Sequence, residues 1–415
     1  MLSVEENELL TRTSPGTPMG NLMRRYWLPA LLSTELPEPD CAPVRLRLLG
    51  EDLVAVRLTS GRIAVLETWC PHRNANLFWG RNEEEGLRCV YHGWKFDAEG
   101  NCIDQPNEPA SSTFNEKVTL PAYSAVEKAG VVWVYMGSAG NTPQVPDMEW
   151  MHVPESHRFA SKRIQRCNYL QNVEGEVDSS HIAFLHRNNL ANDPNAAQGA
   201  PVFDVLDTDF GLAISARRNG PDDQYYWRIT PFMMPCYTII PGLATMTAAV
   251  PADDTTMVGI TVTWYPDRPI SPDDLRFLMT GPHVEVDDRF MSLRNLENDY
   301  LIDRMAQRTT SFTGIDGVRI QDMAVQENQR GHLANRARER LGTSDQGIIA
   351  LRRRLLDQLK ALENGIEPAE PHHPEWYYLR SVAANANKDV PWTRVASDNM
   401  MPVRTRLAAE SLAGS

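Results

Sequence analysis

The chain has 415 residues, too many for one ordinary core, and its apolar (42%) and charged (23%) fractions exclude a disordered polymer, so two globular domains are expected. The net charge of −13 argues against a nucleic-acid-binding surface. The acidic start, Met1-Leu2-Ser3-Val4-Glu5-Glu6-Asn7-Glu8, lacks the basic and apolar regions of a secretory signal, and no apolar run reaches the roughly 18 residues of a membrane span.

Strands are expected at 44–49, 53–58 and 63–66, punctuated by Gly50 and by Ser60-Gly61, and another at 131–136. They frame a small all-β domain whose exit is marked by Pro143, Pro146 and Pro154. From 170 to 187 the pattern is helical. Alternating segments at 211–218, 225–230, 237–240, 246–250 and 256–265 then predict an antiparallel sheet. Helices return after 271. The clearest spans 344–364, with Ser344 as N-cap, an apolar stripe of Ile348, Leu351, Leu355, Leu359 and Leu362, and Gly365 at its end. The second domain is therefore α+β, a sheet with helices packed on it, and the tail after about 395 shows little periodicity.

The six cysteines, at 41, 70, 89, 102, 167 and 236, are too irregular for a disulfide framework, which fits a reducing cytoplasm. Two of them carry the most informative pattern. Cys70-Pro71-His72 and Cys89-Val90-Tyr91-His92-Gly93-Trp94 each place one thiol and one imidazole in a loop. A Rieske [2Fe–2S] cluster needs two thiolates on one iron and two imidazoles on the other. Structural zinc uses the same residue types, but common zinc fingers pair cysteine with cysteine and histidine with histidine. Trp69, Trp94 and Phe96 suit an apolar cover over a redox centre, although aromatics in a small β domain are more often simply core. Cys102 has no partner at ligand spacing and is expected to be buried and inert.

A second constellation lies at Glu174-Gly175-Glu176-Val177-Asp178-Ser179-Ser180-His181-Ile182-Ala183-Phe184-Leu185-His186. His181 and His186, five apart, nearly share a helical face. Two histidines and a carboxylate leave open positions on Fe(II), which suits dioxygen chemistry; a structural role for the pair is also compatible with the spacing. Asp178, one helical turn before His181, can accept a hydrogen bond from its imidazole or stand solvated. Asp303, Asp316, Asp322, Glu327 and Asp345 are candidates for the carboxylate, and spacing does not choose among them.

With both sites in view, the chain resembles the catalytic α subunit of Rieske non-haem iron aromatic-ring-hydroxylating oxygenases, in the phthalate dioxygenase-type branch. The resemblance covers Arg25-Tyr26-Trp27-Leu28-Pro29, both cysteine–histidine loops, the 174–186 motif, Phe312-Thr313-Gly314-Ile315 and Gln321-Asp322. It implies that Cys70, His72, Cys89 and His92 hold the cluster, that His181, His186 and Asp322 hold the iron, and that Asp178 bridges His92 and His181 across a subunit interface. It implies a trimer or stacked trimers, because the two metals of one chain are too far apart. It implies residues 1–40 packing on the catalytic domain, a Rieske domain over 41–145, a catalytic domain over 146–395 and a tail over 396–415. The chain has no Gly-x-Gly-x-x-Gly fingerprint, so a separate reductase, with or without a ferredoxin, is expected to supply electrons. A Rieske-type electron carrier without oxygenase activity is the alternative.

The substrate is expected to be a small aromatic compound, hydroxylated on its ring or dealkylated. Ile229 to Tyr237 is rich in methionine, which suits core filling better than pocket lining. Arg228 is the only basic residue between 219 and 267, a scarcity that counts against phthalate itself; with Arg217 and Arg218 it is expected to be a surface strand charge rather than a carboxylate anchor.

Overall fold

The computed structural model describes residues 2–189 and 193–401. The first domain is an antiparallel sheet with strand order Trp27–Leu32, Val131–Tyr135, Ala122–Lys128, Ile63–Glu67, Glu51–Arg57, Val44–Leu48. A four-stranded sheet, Arg81–Glu83, Gly86–Arg88, Lys95–Phe96, Cys102–Asp104, carries the second cysteine–histidine loop. The second domain is an eight-stranded sheet in which Arg158–Gln165, Met257–Trp264, Thr245–Pro251, Tyr237–Ile240, Gln224–Met233, Gly211–Asn219 and Val202–Thr208 follow one another, and Val382–Asn387 pairs with Gln224–Met233. The helices Tyr169–Val177, Val318–Gln326 and Gln346–Glu363 complete an α+β fold.

Three strands of the second domain were not expected: Arg158–Gln165, Val202–Thr208 and Val382–Asn387. The first reads as polar because its charges are satisfied inside. Lys162, 7% exposed, pairs with Glu35 at 2.7 Å, and the buried Arg163 donates to Thr261 Oγ1 at 2.9 Å. Ser344 does not cap the long helix. A 3₁₀ turn, Thr343–Asp345, precedes it, Asp345 occupies the cap position, and Gly365 at φ +79° ends it as expected. The stripe Leu351, Leu355 and Leu359 is buried. Trp392–Asn399 is a helix at the start of the segment expected to be an aperiodic tail; residues 402–415 of that tail lie outside the described residues. Trp27–Leu32, within the expected N-terminal segment, is an edge strand of the cluster domain's sheet, while Val4–Thr11 and Pro18–Met23 pack on Gln346–Glu363.

One apolar core runs through both domains. Trp133 of the first sheet lies between Trp150, in the connection, and Tyr237 of the second sheet, each 6.4 Å away centroid to centroid. A separate core of Val54, Val56, Leu66, Leu77, Leu87 and Phe96 lies beneath Cys70 and Cys89.

A polar layer crosses the second domain. His283, 2% exposed, meets Ser161 Oγ through Nδ1 at 2.5 Å and Thr263 Oγ1 through Nε2 at 2.9 Å. Burial, then Arg319 and Arg163, pull its pKa down to about 3. The native state thus holds His283 neutral where the unfolded chain takes a proton below about pH 6.5. The stability this contributes is complete above pH 6.5 and is lost as pH falls toward 3. His283→Gln is expected to flatten the fall of the unfolding midpoint between pH 6.5 and 4, measured by thermal denaturation.

Candidate active site

The two cysteine–histidine loops are the same hairpin used twice. Cys70 N–H donates to Ala75 O at 2.9 Å and Asn74 N–H to Cys70 O at 2.9 Å; Cys89 N–H donates to Trp94 O at 2.8 Å and Gly93 N–H to Cys89 O at 3.0 Å. Each closes through a left-handed residue, Asn74 at φ +56° and Gly93 at φ +80°. A side chain at Gly93 would also meet Pro106 Cγ at 2.5 Å. The loops bring His72 and His92 to 4.4 Å between ring centroids, and His72 stacks on Trp94 at 4.4 Å. Trp94 and Phe96 are buried, whereas Trp69 is 41% exposed. Cys70 and Cys89 are 1% and 3% exposed, and burial pushes the Cys70 thiol up to about 11. His72 Nδ1 is buried without a hydrogen-bond partner among the described residues. Two buried thiols, paired imidazoles and an orphaned ring nitrogen fit a [2Fe–2S] group with mixed ligands, since metal bonds remove the cost of leaving them unpaired. Cys102 is buried as expected, its Sγ donating to Asp104 O at 3.5 Å.

The second constellation differs from the expected helix. Tyr169–Val177 stops at Asp178, which is extended (φ −82°, ψ 102°). The Asp178 Oδ1 accepts from Ser180 N–H at 2.6 Å, a local bond that competes with helix continuation. His181–Ala183 is a 3₁₀ turn, and the loop beyond it returns His186 to His181. Their Nε2 atoms are 3.1 Å apart. Asp322, from the helix Val318–Gln326, places Oδ1 3.0 Å from His186 Nε2 and 3.6 Å from His181 Nε2. All three ligand atoms lie within 4.8 Å of one another. Asp178 Oδ2 is 3.4 Å from His181 Nδ1, and Gln321 Oε1 is 2.7 Å from His186 Nδ1.

With both Nδ1 atoms engaged by oxygens, two ring lone pairs converge with a carboxylate oxygen. Such a cluster is mutually repulsive unless a cation sits within it, and this donor set with open positions suits Fe(II). Burial alone would raise the Asp322 pKa, and Arg319 beside its second oxygen acts in the opposite direction. Arg319 Nη1 lies 3.5 Å from Asp322 Oδ2 and also pairs with buried Glu176. Asp322 therefore offers one oxygen to the histidines and the other to Arg319. Among the other carboxylates, Asp303 caps Arg304–Thr309, Glu327 accepts from Tyr300 Oη at 2.6 Å, Asp316 pairs with Arg294 at 3.4 Å and Asp345 accepts from Gly342 N–H at 2.6 Å.

A cavity of about 440 Å³ opens over the triad. Its far side carries Tyr226, Arg228 and Thr230 of the strand Gln224–Met233. Met233 and Met234 are core residues, as their composition suggests. Arg218 and Arg228 are not surface charges. Arg218, 3% exposed, donates to Ser179 O and to Ser179 Oγ at 2.5 and 3.3 Å. Arg228, 8% exposed, shares Asp193 with Tyr226 Oη, at 2.5 and 2.7 Å. Arg319 has no place in the sequence pattern above and Glu176 stands there without a role; the signal for Arg319 is its three-residue spacing to Asp322, one helical turn. Asp178 also borders a second recess, of about 150 Å³, with Leu185 and Val325.

Comparison with known proteins agrees with this architecture. A family model described as Rieske [2Fe-2S] domain matches residues 26–123, and one described as LigXa C-terminal domain like matches residues 134–410. The chain is 38% identical to the 3-chlorobenzoate-3,4-dioxygenase oxygenase subunit of Comamonas testosteroni, over 94% of this chain and 97% of that one. It is also 38% identical to the phthalate 4,5-dioxygenase oxygenase subunit of Pseudomonas putida, over 94% of each. Dicamba monooxygenase shares the fold, with a TM-score of 0.58 at 17% identity over 83% of this chain and 99% of that one. A buried cysteine–histidine cradle and a two-histidine, one-carboxylate site on one chain define a Rieske-type oxygenase. The chain belongs to the family of Rieske oxygenase subunits that includes those two dioxygenase components. It is thus an oxidoreductase with a [2Fe–2S] cluster and a mononuclear iron, not a pure electron carrier.

Proposed function

We propose that this chain is a terminal oxygenase component that oxygenates an aromatic acid, with Cys70, His72, Cys89 and His92 holding the cluster and His181, His186 and Asp322 holding the iron. The observation that carries the reading is the convergence of two imidazole lone pairs and one carboxylate oxygen beneath the 440 Å³ cavity. When bound, the cluster supplies electrons singly and the iron activates O2 beside the substrate. The chain's own residues do the rest. Asp178 holds the Nδ1–H of His181, and Arg319 occupies the second oxygen of Asp322. Arg228 lines the cavity, and its guanidinium suits the acidic group of a substrate. The relatives named for 3-chlorobenzoate and phthalate support an acid.

No nucleotide-binding fingerprint is present, so electrons come from a separate reductase in the cytoplasm. The active unit is a ring of chains. Apolar side chains are exposed at both metal sites: Val90 and Tyr91 (60% and 53%) beside His92, and Phe184 and Phe312 (63% and 49%) beside the triad. Packing one face against the other covers both and brings His92 of a neighbouring copy toward the recess at Asp178. Among the described residues no helix is long and apolar enough to cross a membrane.

Product analysis with a surrogate reductase tests the reading, using benzoates, alkoxybenzoates and their neutral amides or esters. Oxygenated products from the acids, with kcat/KM at least about tenfold above the neutral analogues, are expected from one charge-assisted contact. Equal turnover of the neutral compounds would remove Arg228 from recognition.

A further inference from the structure

Gln321 and Asp322 are consecutive on Val318–Gln326, so one turn of helix delivers a carboxylate to the triad and, beside it, an amide to His186. We propose that Gln321 is a positioning residue that fixes the tautomer and tilt of His186, and that the backbone carbonyl of Ile315 dictates how Gln321 itself is turned. The proposal rests on the iron-site reading above.

Gln321 is 2% exposed and every polar group of its side chain is engaged. Its Oε1 lies 2.7 Å from His186 Nδ1. Its Nε2 lies 2.7 Å from Ile315 O, 3.2 Å from Thr313 Oγ1 and 3.2 Å from Asn189 Oδ1. A backbone carbonyl only accepts, so the end of the amide facing Ile315 must be the NH2 group. The amide oxygen then faces His186. That oxygen also only accepts, so His186 must carry its hydrogen on Nδ1. Its Nε2 is left with a free lone pair, 3.0 Å from Asp322 Oδ1. Turning the amide over would set oxygen against oxygen at Ile315. It would also present NH2 to Nδ1 and force the ring proton onto Nε2, where it would block the metal.

The carbonyl at the head of this chain of hydrogen bonds is itself anchored. Asn188, two residues past His186, accepts from Phe312 N–H at 2.8 Å and donates to Thr310 O at 3.0 Å. Asp303 N–H donates to Gly314 O at 2.7 Å. The loop before Val318–Gln326 and the loop bearing His186 therefore hold each other, and Gln321 spans the gap between them. The two histidines are steadied differently: His181 by the charged Asp178, His186 by a neutral amide.

The test uses purified holoenzyme and times release of the mononuclear iron to a ferrous chelator, with the visible spectrum of the cluster as the check on folding. Gln321→Met is expected to release iron about 10–100-fold faster than the parent. Gln321→Glu keeps an acceptor for His186 Nδ1 but loses the donor to Ile315 O, and is expected to release iron more slowly than Gln321→Met. The proposal is overturned if Gln321→Met holds iron as the parent does. Equal release by the two variants would also overturn it, since that marks a loop latch and nothing more. Should Gln321→Met fail to fold, the pair Thr313→Val and Asn189→Leu removes two anchors of the amide and also frees Ile315, whose O accepts from Thr313 Oγ1 and whose N–H donates to it, each at 3.1 Å, without touching His186; faster release supports the proposal and unchanged release overturns it. A parent with no chelatable iron beyond the cluster would instead overturn the ligand assignment itself.

Discussion

Replacing Asp178 by asparagine is expected to leave both metal sites loaded and to slow turnover about 100-fold, the upper range for a group that supports a metal ligand. Asparagine is isosteric and its oxygen still accepts from His181 Nδ1, so iron content should not fall. What it loses is the negative charge that makes His181 a stronger ligand and the second anionic oxygen that the recess beside Leu185 and Val325 leaves approachable. Asp178 is held in place by its neighbours. Ser180 N–H fixes Oδ1 at 2.6 Å, and Arg218 clamps Ser179 next to it. The measurement is stopped-flow reoxidation of the prereduced cluster on mixing with O2 and substrate. His181→Ala serves as the contrast: it should lose one iron of the three implied by a two-iron cluster plus a mononuclear site, and all turnover with it. Full turnover by Asp178→Asn would remove Asp178 from the route between subunits.

Arg336→Met is expected to cost about 3–5 kcal/mol, the range for breaking a buried ion pair from one side. Arg336 is fully buried. Its Nε and Nη2 each lie 2.9 Å from Glu174, and Nη1 reaches Asn7 Oδ1 at 3.2 Å. Arg352 adds a contact to Glu174 at 2.7 Å and one to Glu339 at 2.7 Å. Burial opposes the charge on Glu174, yet Arg336 and Arg352 keep its pKa below the usual value. Without Arg336 that carboxylate retains one cation in place of two. Urea unfolding followed by circular dichroism measures the loss. Adding Glu174→Gln should recover a good part of it, because Arg352 still has Glu339; a double variant as unstable as the single would locate the cost elsewhere. Glu174 belongs to the helix that ends at Asp178, so the iron loop should loosen in the single variant too.

Sequence pattern made the strands of the cluster domain legible because alternation and turn glycines are local signals. The cysteine–histidine loops were legible for the same reason: each is closed within six residues by its own backbone bonds. The proposed iron site was only half legible. His181 and His186 were visible, but the helix meant to carry them stops at Asp178, since a bond from Ser180 N–H replaces the next helical turn. Asp322 comes from 136 residues beyond His186, and only the family resemblance separated it from four other carboxylates. Arg218 and Arg228 were misjudged because a charged residue on a strand is ordinarily at the surface; both are buried by partners, Ser179 and Asp193, that no local pattern links to them. Arg158–Gln165 was missed on the same account.

The aromatic contact of Trp150, Trp133 and Tyr237 carries a consequence for how this oxygenase moves electrons. The connection between the domains is a strut and not a hinge: Met148 and Trp150 are 2% and 1% exposed, and Trp27 Nε1 donates to Pro143 O at 2.8 Å. A cluster head braced this way has no swing. It does not reach its own iron as a tethered carrier would, so in the proposed ring the spacing between redox centres is decided when copies assemble. In that ring the vulnerable step is association, and a ligand that capped the Tyr91 face is expected to silence the enzyme without touching a single metal ligand.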